Sequence, residues 1–165
     1  MPVGPDSFPR RGVNSLASLE GRAVARLLDA LLLGIPYFVV AAVVAAVLAG
    51  SEPATEPVEM TGRLWLAVFG PLVGLFVVYE TVCVWLWGQT VGKLALGVRV
   101  ARQVNGRCPL WWEAFLRVGI VGLVLLIPFM PVVFVASGLY MVAGFDEMRR
   151  NVPDRAAGTV VVRAR

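Results

Sequence analysis

Three long apolar runs organise the chain. Residues 27–49 carry a single charge, Asp29, and residues 64–87 carry a single charge, Glu80. At 1.5 Å per residue, each is long enough to cross a hydrocarbon core of about 30 Å with some tilt. The third run, residues 116–145, is broken by Pro128 and Pro131. Two full crossings need roughly 40 residues and a turn, so this run predicts either a short hairpin turning at the prolines or a third, kinked span. Between and after the runs lie Leu96-Gly97-Val98-Arg99-Val100 and Gly158-Thr159-Val160-Val161-Val162-Arg163. Both are short, β-branched and glycine-preceded, the pattern of strands. If they pair, they form a small sheet under the helices. Residues 1–14, with Pro2, Pro5 and Pro9, show no periodicity and read as a disordered tail. The pattern predicts an all-α polytopic membrane protein with helices at about 22–49, 64–87, 116–127 and 131–145. Residues 88–115 and 146–165 would form its cytoplasmic part, with a two-stranded β element, and residues 15–165 one membrane domain.

Composition agrees with that pattern. The chain has 165 residues, 58% hydrophobic and 16% charged, with a mean hydropathy of +0.77. Soluble domains run nearer about 45–50% apolar and about 25% charged. A nucleic-acid module and an ordinary cytosolic enzyme are therefore not expected. There is no histidine, which removes the commonest proton shuttle and transition-metal ligand. Cys83 and Cys108 form no metal-binding spacing and read as a packing thiol and a loop thiol. No catalytic group, metal or cofactor is expected. Ala41, Ala45 and Ala49, and the pair Gly70 and Gly74, offer small-residue faces for helix packing. Trp65, Trp85 and Trp87 flank the second run as interfacial anchors.

Charge adds a direction. Of the 15 basic residues, only Arg63 lies in the segment between the first two runs, where it faces Glu52, Glu56 and Glu59. The other 14 fall before the first run, in residues 88–117, or after residue 145. Positive segments stay cytoplasmic. Both termini and residues 88–115 are therefore expected inside, and the five arginines of the tail favour a third run that turns back.

Asp29 and Glu80 sit near the same end of two antiparallel runs, so they fall at similar depth. Arg26 and Asp29 are three apart on one helical face and able to pair. Arg26, Asp29 and Glu80 are thus a candidate cluster. Read as two acids and one arginine, it is net negative and suited to a cation or proton. Read structurally, Asp29 neutralises Arg26, and Glu80 reaches water or bonds Lys93 or Arg99. Residues 88–93 resemble a phosphate loop but lack its spacing, since Leu94 follows Lys93. Lys93 and nearby amides remain candidates for lipid phosphates. Asp154 is expected to brace the turn before the last strand through an arginine of residues 88–117.

Three segments in order resemble the RDD family of small bacterial integral membrane proteins. They are Arg22-Ala23-Val24-Ala25-Arg26-Leu27-Leu28-Asp29, the stretch Gly88-Gln89-Thr90-Val91-Gly92-Lys93 continuing to Val100, and Asp154-Arg155-Ala156-Ala157-Gly158-Thr159 continuing to Val162. By the resemblance, the arginine and two aspartates of the family name match Arg26, Asp29 and Asp154. Pro153 stands where many relatives carry histidine. The resemblance implies a bacterial cytoplasmic-membrane protein and points to transport of a small ion or solute. The alternative is a non-catalytic accessory subunit of a membrane assembly. Expected partners are membrane lipids and other membrane proteins or further copies of the chain, not nucleic acid.

Overall fold

In the computed structural model, residues 8–9, 12–49, 62–127 and 146–164 are described. The architecture is mostly helical, with two long apolar helices and a small two-stranded sheet. Helix α1 spans Leu19–Ala49. It starts three residues before the expected helix start at 22, because the Ser18 hydroxyl accepts the Gly21 amide (3.1 Å) and caps the first turn. Helix α2 spans Gly62–Trp87. It lies antiparallel to α1, as the successive pairs Tyr37–Val68, Asp29–Tyr79 and Arg26–Glu80 establish.

Helix α3 (Val91–Ala95), strand β1 (Val98–Arg102), helix α4 (Trp111–Leu125), helix α5 (Val152–Ala156) and strand β2 (Thr159–Arg163) complete the order. The third apolar run thus begins its helix at Trp111 rather than at residue 116. Glu113 reaches back to the Leu110 amide (2.9 Å) and starts the helix inside the polar loop. The proline turn and the helix expected at 131–145 lie outside the described residues. The flanks of that stretch are informative. Gly88 and Cys108 adjoin, so α4 begins beside the end of α2. At Asp146 and Arg150 the chain is again at the sheet, where Arg150 bonds Gln103.

The two expected strands do pair. Their register is antiparallel, with Val98 opposite Arg163, Val100 opposite Val161 and Arg102 opposite Thr159. β1 is displaced two residues from the expected 96–100, because Leu94 and Leu96 belong to the close of α3 and Gly97 turns the chain at φ +63°. The sheet is buried on both faces. Val98, Val100 and Val161 meet Ala17, Val84 and Ala114 on the helix side. Ala101, Val160 and Val162 meet Phe8 and Leu16 on the other. That is why β2 is a continuous β-branched run rather than an alternating one.

The expectation of a disordered tail through residue 14 is corrected at Phe8 and Asn14. The Asn14 amide donates to the Arg163 carbonyl, Arg163 donates to Ser15, and Ala17 donates to Val161, so the entry to α1 lines the open edge of β2.

Helix packing also differs from expectation. Among the described residues nothing lies within 4 Å of a Cβ added at Gly70 or Gly74, and Ala45 is exposed. The close approach is made by Gly122 of α4, where an added Cβ would stand 2.8 Å from Val77. Both thiols are free, Cys108 in an exposed loop.

Candidate functional site

A charged seam runs between the sheet and the helix ends, built by one face of α1. Arg22, Arg26 and Asp29 project from it at helical spacing. The expected Arg26–Asp29–Glu80 cluster is present but divided. Arg26 pairs with Glu80 Oε2. Lys93 reaches the other oxygen, Oε1, at 2.7 Å. Asp29 instead accepts three hydrogen bonds. The Thr90 hydroxyl donates to Oδ2 (2.6 Å), and the Tyr79 hydroxyl (3.0 Å) and Gly92 amide (2.8 Å) donate to Oδ1. Glu80, Asp29 and Thr90 are fully buried.

This geometry depends on α3. Thr90 caps it by accepting the Lys93 amide (3.4 Å). Gly92 lies so close to α1 that a Cβ there would run into the Ala25 carbonyl oxygen and within 3.0 Å of the Asp29 carboxylate. Gly88 turns the chain out of α2 at φ +68°, and the Gln89 amide group donates to the Val98 carbonyl (3.0 Å). Lys93 is only 3% exposed and spent on Glu80. The expectation that it touches lipid phosphates is therefore overturned.

A third acid closes the seam at the sheet. Asp154 is fully buried. Arg117 of α4 comes to 2.9 Å from Oδ1 and Arg22 to 3.6 Å from Oδ2. The Thr159 hydroxyl also donates to Oδ1 (3.4 Å). Asn151 caps α5 by accepting the Asp154 amide (2.8 Å). The brace expected from an arginine of residues 88–117 is thus Arg117. Arg22 was not singled out from the sequence, although it stands four residues before Arg26, one turn away on the same face. It also donates to the carbonyls of Arg149 and Val161. Arg155 is exposed, and Gly158 supplies the turn into β2 at φ +63°.

The charge count changes the chemistry expected of the site. Arg22, Arg26, Lys93 and Arg117 face Asp29, Glu80 and Asp154, four cations to three carboxylates. The seam is net positive rather than net negative. Lys93 and Arg117 make the difference, and both come from the loop and helix that fold back against α1 and α2. Outside the seam, Arg102 holds Glu113 (3.0 Å), and hydrogen bonds from Arg150 hold the Asp146 carboxyl below its ordinary range. No group of three or more His, Cys, Asp or Glu suited to a metal ion occurs among the described residues.

No match was found among curated proteins or solved structures. The family model described as the RDD family matches residues 16–158, from the edge of the sheet through the first two segments of the resemblance and into the third, and the chain belongs to that family.

Proposed function

We propose that the protein is a non-catalytic accessory subunit of a membrane assembly, with α1 and α2 crossing the bilayer and the sheet as a docking platform locked onto their ends. One observation carries this reading. Both carboxylates set within the apolar helices have both oxygens engaged by protein donors, Glu80 by Arg26 and Lys93, and Asp29 by Thr90, Tyr79 and Gly92. A transported cation would have to displace these partners in a seam that already carries an excess positive charge. Exposed apolar surface supports the membrane setting. Val39, Val40, Val43 and Val47 of α1 are all more than half exposed, Val47 at 74%. The basic residues gather at the sheet end, which by the positive-inside rule is the cytoplasmic side.

Native purification tests the reading: a larger complex of fixed composition is expected, and a lone monomer or homo-oligomer would overturn it. Transport is the second reading, favoured by two acids placed within apolar spans, where an ionisable group costs about 2.5–3.5 kcal/mol at the centre. Under the accessory reading, purified protein in liposomes shows no pH- or cation-dependent flux. Flux abolished in well-inserted Asp29→Asn and Glu80→Gln variants would reverse the order of the two.

A further inference from the structure

The segment between the second helix and the first strand has the sequence of a water-exposed loop, yet its contacts are with membrane-ward parts of the helices. Along α1 the sheet is met at Arg22, which bonds the Val161 carbonyl. Helix α3 is met further on, at Ala25 and Asp29. Along α2 its partners are Tyr79 and Glu80, well before the end of that helix at Trp87. These offsets are three to eight residues, roughly 5–12 Å at 1.5 Å per residue. The chain then climbs back, and the Val100 amide donates to the Gly88 carbonyl (2.7 Å). Residues 88–100 therefore form a loop whose middle lies deeper than both its ends.

We propose that residues 90–97 are a re-entrant wedge lying within the sheet-side leaflet, with Val91, Leu94 and Leu96 against lipid acyl chains. The proposal rests on the reading that α1 and α2 span a membrane.

Two further features fit that placement. Backbone at membrane depth must have its polar groups satisfied by protein. The amides of Val91, Gly92 and Lys93 donate to the Tyr79 hydroxyl, the Asp29 carboxylate and the Thr90 hydroxyl. Those of Leu94, Leu96 and Gly97 donate to carbonyls within the loop. The side chains divide the same way. Thr90 and Lys93 point into the protein and are buried, while Val91, Leu94 (58% exposed) and Leu96 point out. On the helices that α3 meets, Leu27, Leu28 and Leu31 of α1 and Val78 and Val82 of α2 are likewise exposed.

Nitroxide labelling of the full chain in liposomes tests the wedge, in a background carrying Cys83→Ala and Cys108→Ser. Labels are placed by Leu94→Cys and, as a second wedge position, Val91→Cys. Val40→Cys on α1 serves as the bilayer reference. Val104→Cys, 64% exposed in the turn after β1, serves as the water reference. Collision with oxygen and with a water-soluble nickel chelate is read by electron paramagnetic resonance. The wedge positions are expected to follow Val40, with nickel access several-fold below that at Val104. Wedge positions that follow Val104 while Val40 stays nickel-poor overturn the wedge and leave the membrane reading standing. Nickel access at Val40 equal to that at Val104 overturns both.

Discussion

The units α3–β1 and α5–β2 are built alike and charged oppositely. Each begins with a polar cap, Thr90 or Asn151, and runs through a five-residue helix. Each then turns at a glycine with φ +63°, Gly97 or Gly158, into a strand, and the two strands pair antiparallel. At the third helical position one carries Lys93 and the other Asp154. Lys93 delivers a cation to an acid of α2, and Asp154 delivers an acid to arginines of α1 and α4. Local backbone design is therefore separable from the charge it delivers. The first unit shares its acid with a second cation, Arg26. The second unit supplies the carboxylate on which two arginines depend. Arg22 Nε and Arg117 Nη1 are buried there without a hydrogen-bond partner among the described residues.

That asymmetry sets the order of mutational effects. Asp154→Ala strips the shared carboxylate from Arg22 and from Arg117, which is 3% exposed. Removing one partner of a buried pair costs about 3–5 kcal/mol, and unfolding in detergent should register it. Lys93→Met leaves Glu80 with Arg26, so its loss should be the smaller, near the ~1.5–3 kcal/mol of one charged hydrogen bond. Equal losses would break the comparison. Gly92→Ala pushes a methyl toward the Ala25 carbonyl oxygen. It should cost toward the upper end of the ~1–3 kcal/mol typical of overpacking, and weaken proteolytic protection of α3. Gly97→Ala and Gly158→Ala impose a side chain on a left-handed backbone, at roughly 1–2 kcal/mol each. Here the two units should respond alike, and thermal unfolding of the pair checks it.

Much of this was legible in the sequence wherever a local rule applied. The two glycine-preceded β-branched stretches announced strands that pair. Asp154 announced a brace to an arginine from residues 88–117. What escaped depended on the fold bringing distant groups together. Arg26 and Asp29 satisfy the helical spacing for a pair, but Thr90, Tyr79 and Gly92 hold Asp29 and Glu80 takes Arg26. Nothing in the spacing of residues 88–93 fixes the side to which Lys93 points. Gly70 and Gly74 carry a packing spacing and meet nothing among the described residues, while Gly122, with no such spacing, sits against Val77 and Val73 of α2, a contact set by the fold rather than by local sequence. Ser15 and Leu16 join the sheet without any alternation to mark them as a strand.

The position of β2 has a consequence for biogenesis. It lies between β1 and the residues just before α1, so a late-synthesised strand is flanked by an early one and an intermediate one. While the ribosome is still short of Asp154, Arg22 and Arg117 lack their common acid and the sheet lacks its middle. The two long helices can form before the last ten residues of the sheet and seam exist, but the sheet gains its middle strand and the two arginines their shared carboxylate only when residues 154–163 arrive.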